Sequence, residues 1–239
     1  MIKQSYKPEK EYNNINIDKK CLIISGGRFA NIPRQRLRAD YVIACDKGLE
    51  YAEKYLIKPD VIVGDFDSVS DNLREGLDER DALIMRYPKE KDDTDTLIAV
   101  KYALSEGYRN IIIVCALGNR TDHLLANLQT AHYAAKKGAI VRFIDEYEEI
   151  IAFSNTETTI KKEIIDNIQD QNNSIYLSVF SLDDRSEGVS ITGTKYEITD
   201  AVLTNTFPIG VSNEFKDKEA AISVKNGSLL VMITVENLL

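Results

Sequence analysis

Two carboxylates stand two residues apart at the end of a β-branched run, Val61-Ile62-Val63-Gly64-Asp65-Phe66-Asp67-Ser68. On an extended chain Asp65 and Asp67 project to one side and Phe66 to the other. Like charges that close repel, and each raises the proton affinity of the other. A divalent cation with oxygen ligands removes the conflict, and Mg²⁺ carrying a phosphate is a common case. A solvated acidic turn would carry the same residues. Other candidates occur along the chain. Asp95 follows Asp92-Asp93-Thr94 and can join an acidic cluster around the metal or sit as a helix-start carboxylate. Asp46, in Cys45-Asp46-Lys47-Gly48, can approach a metal or nucleotide, or form a turn. Gly26-Gly27 can let backbone N–H groups reach a phosphate or make a tight turn. In Gly118-Asn119-Arg120-Thr121-Asp122-His123, Arg120 suits bidentate contact with phosphate. There Asp122 can cap a helix or orient Arg120, and His123 can bond a phosphate or a backbone group.

These residues need a frame. Apolar runs at Cys21–Ser25, Tyr41–Cys45, Val61–Val63, Ala82–Met85, Ile111–Cys115 and Ile140–Ile144 alternate with helical patterns. Near-continuous apolar runs suit strands covered on both faces, and strands separated by helices suit a parallel sheet. Helices are expected over Gly48–Tyr55, Thr94–Glu106 with Asp92 or Asp93 as cap, and Asp122–Lys137 with Thr121 as cap. Each candidate group then follows a strand. Loops after the strands of an open parallel sheet share its carboxyl edge, where such proteins bind ligands. Beyond Tyr147 the pattern alternates, as in Ser174–Phe180 and Leu229–Val235, with glycines between runs. This reads as an all-β sandwich. The expected fold is therefore α/β: an N-terminal open parallel sheet flanked by helices, then a C-terminal β-sandwich. Its divisions are a loose polar arm over 1–20, an α/β domain over 21–147 and a β domain over 148–239.

Composition narrows the classes. The 239 residues, 44% hydrophobic and 28% charged, describe a globular chain with an ample core. No apolar run reaches the roughly 18 residues of a membrane span. Residues 1–20 lack a signal-peptide h-region. Cys21, Cys45 and Cys115 lie in apolar runs without metal-ligand spacing, which suggests buried reduced thiols and a cytoplasmic setting. The net charge of −8 argues against non-specific nucleic-acid binding.

The motifs around Asp46, Gly64–Ser68, Asp92–Asp95 and Gly118–His123, in that order, resemble the thiamine pyrophosphokinase family, with Ser212-Asn213-Glu214 similar to its C-terminal signature. The resemblance spans about Cys21 to Val235. It implies an Mg²⁺-dependent homodimer that transfers the pyrophosphoryl group of ATP to the hydroxyl of thiamine, giving thiamine diphosphate and AMP. It implies that Asp65, Asp67 and Asp95 bind Mg²⁺, that Asp46 lies nearby, and that Arg120, Lys89 or Lys91 stabilise developing charge. Gly26, Gly27, Gly64, Asp92, Thr94, Asp122 and His123 fall on the nucleotide side, and Ser212 and Asn213 on the thiamine side. Thiamine would lie between the α/β domain and a β domain contributed partly by the other subunit. Lys47 stands where many members carry glycine, and the chain has no tryptophan to stack on thiamine, which leaves Tyr196 as a candidate. Alternatives are a non-catalytic nucleotide- or thiamine-binding sensor and a pyrophosphokinase for another small alcohol, such as a pterin carbinol.

Overall fold

The computed structural model describes residues 16–67, 69–118, 120–161 and 173–237. Ser68 and Asn119, which belong to two of the motifs, and residues 1–15 of the expected arm lie outside the described residues.

The first half of the chain supplies β1 (Asn16–Ile24), β2 (Tyr41–Cys45), α1 (Gly48–Lys54), β3 (Val61–Gly64), α2 (Asp71–Glu75), β4 (Leu83–Arg86), α3 (Asp95–Ser105), β5 (Tyr108–Val114), α4 (Thr121–Lys136) and β6 (Ile140–Ile144). The six strands pair in parallel in the order β6-β5-β1-β2-β3-β4. Successive side chains alternate between faces. Cys21, Ile23, Ile43, Val61, Val63, Ile111 and Ile113 face α3 and α4 in one core. Leu22, Ile24, Val42, Ile112 and Val114 face Tyr51 and Ala52 of α1 in another.

Two expectations are corrected here. Residues 16–20 are not part of a loose arm: Asn16 pairs with Tyr108 and Lys20 with Asn110, so they extend β1. β4 is not covered on both faces. It is the sheet's edge strand, with Leu83 half exposed.

At β7 (Glu148–Ser154) the chain reverses and pairs antiparallel with β6. The sheet then continues through β8–β14: β8 (Glu157–Lys161), β9 (Asn173–Ser181), β10 (Ser186–Thr192), β11 (Ile198–Leu203), β12 (Asn213–Glu214), β13 (Glu219–Ser223) and β14 (Ser228–Asn237) divide between two layers. One layer, β12-β9-β14-β7, prolongs the parallel sheet to ten strands, and the other is the four-stranded β11-β10-β13-β8. Phe153, Leu177, Val179 and Val231 pack against Ile160, Val189, Ile191 and Ile222 between them. The expected sandwich is present, and one of its layers is the antiparallel extension of the α/β sheet.

The register matters most for function. Ile24 lies opposite both Ala44 and Val114, and Cys45 opposite Val63. These strand ends are level, so the loops that follow them open at one edge.

Candidate active site

Asp46 closes β2 in the left-handed region, with φ 46°. Its N–H donates to the Val63 carbonyl at 2.8 Å, and its Oδ1 accepts from the Phe66 N–H at 3.0 Å. Phe66 also turns left-handed, φ 61°, and its ring is buried among Leu49, Val69 and Leu77. The chain is therefore not extended at Phe66, as the alternation argument supposed. The turn nevertheless sends Phe66 inward and the acids outward: carboxylate oxygens of Asp46, Asp65 and Asp67 all lie within 4.8 Å of one another. Asp65 Oδ1 accepts the Asp67 N–H at 3.1 Å, which tightens the loop. Gly64 is required by this packing, because a Cβ there would stand 1.9 Å from Asp46 Oδ1.

The loop after β4 brings cations to these acids. Lys89 Nζ lies 2.5 Å from Asp67 Oδ2, and Lys91 Nζ 2.7 Å from Asp95 Oδ1. Thr94, not Asp92 or Asp93, caps α3, its hydroxyl accepting from the Leu97 N–H at 3.2 Å. Asp93 is paired with Lys101 at 2.6 Å. Asp95, in the first turn of α3, lies outside the close triad and beside Asp46. Burial first, and then the like charge of Asp95, push the Asp46 carboxyl up to about 7, against the pull of the Phe66 N–H. An all-oxygen set of three carboxylates, one of them reluctant to ionise alone, fits a hard divalent cation.

The remaining candidates surround a cavity of about 410 Å³ at the same edge. Gly26, Gly27, Asp46, Thr94, Asp95, Arg120 and His123 line it. The Gly27 N–H donates to the Cys115 carbonyl at 2.9 Å, and a Cβ on Gly27 would meet that oxygen at 2.6 Å. From behind, the Tyr51 hydroxyl donates to the Gly27 carbonyl at 2.8 Å and Tyr55 to that of Ala30. Arg120 forks onto Asp122, Nε at 3.1 Å and a terminal nitrogen at 2.6 Å, and Asp122 Oδ1 also accepts the His123 N–H. This pair holds Asp122 down to about 2. α4 begins at Thr121, so Thr121 does not cap it; Arg120 takes the N-cap position with no side-chain cap bond. Gly64, Asp65, Asp67 and Asp122 lie outside the cavity lining, the acids adjoining it through Asp46. Asp92 lines a second groove of about 830 Å³ with Tyr87, Glu90, Lys91, Asp93 and Tyr102. Sequence reasoning missed Ser25, Thr96 and Asn127 in the first cavity. Asn127 falls one helical turn after His123, a spacing that offered the only hint.

Ser212 and Asn213 lie at the opposite edge of the sheet. The Ser212 N–H donates to Ser178 Oγ at 3.0 Å in a left-handed turn, φ 59°. Asn213 is buried, and its amide donates to Thr194 Oγ1 and the Tyr196 carbonyl while accepting from the Tyr196 and Glu214 N–H groups. It thereby fixes the backbone of Tyr196, whose ring is 64% exposed. Phe207, Ile209 and Val211 are exposed in the same region.

Carboxylates, lysines and a glycine loop on the carboxyl edge of an α/β sheet, joined to a β-sandwich, define a two-domain enzyme of the kinase class. Comparison with known proteins makes this specific. Residues 34–143 match the family description "Thiamin pyrophosphokinase, catalytic domain", and residues 162–229 match "Thiamin pyrophosphokinase, vitamin B1 binding domain". The thiamine pyrophosphokinase of Bacillus subtilis (strain 168) is 29% identical over 191 residues, covering 80% of this chain and 85% of that protein. The crystal structure of the thiamine pyrophosphokinase from Bacillus subtilis superposes with a TM-score of 0.76 at 27% identity, over 91% of this chain and 100% of the other. A thiamin pyrophosphokinase family protein from Enterococcus faecalis gives 0.72 at 26%, over 92% and 100%. The Candida albicans thiamin pyrophosphokinase, at 14% identity, shares the fold with a TM-score of 0.71 over 91% and 89%. The chain belongs to the thiamine pyrophosphokinase family, whose members are kinases of thiamine diphosphate synthesis.

Proposed function

We propose that the protein transfers the pyrophosphoryl group of ATP to the hydroxyl of thiamine, giving thiamine diphosphate and AMP, with Mg²⁺. The observation that carries this reading is the convergence of the Asp46–Asp65–Asp67 triad with a cavity of about 410 Å³ at one sheet edge. The protein is acidic while triphosphate is densely anionic, so a metal held by the carboxylates reconciles them. When bound, Mg²⁺ neutralises phosphate charge and orients the transferring group. Asp46, Asp65 and Asp67 would hold it, with Asp95 as their neighbour.

The chain's own groups do the rest. Gly26 and Gly27 bring backbone close to the nucleotide. Arg120, oriented by Asp122, and the lysines Lys89 and Lys91 stand where charge grows on the transferring and leaving oxygens. The thiamine hydroxyl oxygen bonds to the β-phosphorus, the bond from that phosphorus to the bridging oxygen breaks, and AMP leaves carrying that oxygen. The hydroxyl proton is lost to solvent, so positioning carries most of the rate.

The topology supports the dimer that the family resemblance implies. β12, beside Ser212, and β2, which ends at Asp46, are the first and eighth strands of the ten-stranded order. At ~4.8 Å per strand that is roughly 34 Å. That separation supports a reading in which Ser212 and Asn213 serve the acid cluster of another copy. Three free buried thiols support a reducing, cytoplasmic compartment.

The test is direct. Folded protein incubated with ATP, Mg²⁺ and thiamine should yield thiamine diphosphate and AMP, and the absence of both would reject the reading. Asp65→Asn and Asp67→Asn should each lose turnover and keep the far-UV spectrum of the parent.

A further inference from the structure

The 410 Å³ cavity runs from the end of β2 to the junction of β5 and α4. Asp46 and Lys47 stand at the end of β2, next to the acid triad. Cys115, Ala116, Ala126 and Asn127 stand where β5 gives way to α4. Arg120 and His123 line it within two helical turns before Asn127, so the phosphates belong toward β2 and these side chains, and Cys115, Ala116 and Ala126 are left for the nucleoside.

Asn127 is the polar side chain beside those apolar residues. It is 7% exposed on α4. Its Nδ2 donates to the Ala116 carbonyl at 2.8 Å. Because a carbonyl only accepts, this bond fixes which way the amide points. Its Oδ1 accepts no bond from the described residues. One strand over, Ser25 Oγ and Thr96 Oγ1 lie 2.9 Å apart, both buried and both lining the cavity. One proton lies between these hydroxyls, and the other is free to be donated. The cavity lining thus offers an oriented acceptor and a hydroxyl donor.

We propose that Asn127 is a specificity-determining residue for the nucleobase, its Oδ1 accepting from the 6-amino group of adenine. Adenine presents an amino donor next to a ring-nitrogen acceptor, matching Asn127 and the Ser25–Thr96 pair. A 6-oxopurine turns an acceptor toward Oδ1, leaving two buried acceptors facing each other. The inference rests on the ATP reading above.

Steady-state kinetics with ATP, inosine triphosphate and 2′-deoxy-ATP test it, at saturating thiamine and Mg²⁺. Replacing the amino group by oxygen should lower kcat/KM at least about tenfold in the parent protein. Asn127→Ala should bring the ratio of the two purines to within about threefold, since no acceptor remains to discriminate. Equal use of ATP and inosine triphosphate by the parent overturns the assignment, whether or not the variant folds. So does a folded Asn127→Ala that keeps the parent's ratio. A loss with 2′-deoxy-ATP and none with inosine triphosphate moves the bond to the sugar and also overturns it. Calorimetry separates the two levels: ATP that binds without base discrimination removes only the Asn127 assignment, whereas folded protein that binds no ATP removes the nucleotide reading with it.

Discussion

Asp46 is caught between its hydrogen bond to the Phe66 N–H and the cost of ionising beside Asp95. The folded protein keeps the Asp46 proton up to about pH 7, whereas the group's ordinary value is 3.8. Between those values the native state binds more protons than the unfolded chain, so this group's contribution to stability falls as pH rises. Asp46→Asn removes the charge and retains an oxygen for the Phe66 N–H. At pH 8 it should raise Tm by about 2–4 °C and abolish turnover, the trade expected where a site stores unfavourable charge. Below about pH 4 parent and variant should melt together, because Asp46 is then protonated in the folded and the unfolded chain alike and the penalty is absent. A variant that melts lower at pH 8 would show that the charge is not a burden. Added Mg²⁺ should reverse the penalty, raising the parent's Tm at pH 8 and leaving Asp65→Asn and Asp67→Asn unmoved. At this scale the sequence was legible where a strand end met an acid: Asp46, Asp65 and Asp67 stand out by position. Gly64 could be seen but not explained, since its reason is Asp46 Oδ1, eighteen residues back. Asn127 was illegible because a lone asparagine inside a helix carries no pattern, and only the cavity gives it meaning.

At the scale of elements, the strands and long helices followed from their apolar patterns, and their ends did not. Asp92, Asp93, Thr94 and Asp95 are all competent caps for α3. Tertiary pairing breaks the tie: Lys101 engages Asp93, Lys91 engages Asp95, and Thr94 remains to accept the Leu97 N–H. The cap therefore sets the first turn that carries Asp95 toward Asp46. Thr94→Ala should cost about 1 kcal/mol of stability, read by urea unfolding, and Thr94→Ser should recover most of it. Activity should follow the same order, falling in the alanine variant and returning in the serine variant. An alanine variant as active as the parent would separate the cap from the site. The exposure of β4 belongs to this scale too. Its apolar run looks like a buried strand, but being last in the sheet order is a property of pairing, which no local window contains.

A ten-stranded sheet runs through both halves of the molecule, with the acid cluster toward one end and exposed apolar residues toward the other. Alternation beyond Tyr147 announced antiparallel strands. That β7 and β14 would join the parallel sheet through β6 was not legible, because it depends on which strands pair across long separations. This continuity separates the acid cluster from Ser212 by seven strand spacings, a gap that the proposed dimer would bridge. In a C2 dimer each site would take its α/β half from one protomer and its β half from the partner. The consequence is complementation. Asp65→Asn disables the α/β half, and Ser212→Arg sets a cation against the cationic substrate in the β half. Each variant alone should be inactive. In a heterodimer one site carries both lesions and the other carries neither. Unfolding and refolding an equal mixture, so that half the dimers are mixed, should restore about a quarter of the parent activity. Sites built within single chains would restore nothing. Sedimentation of the parent as a monomer at assay concentration, with full turnover, would reject the shared site independently.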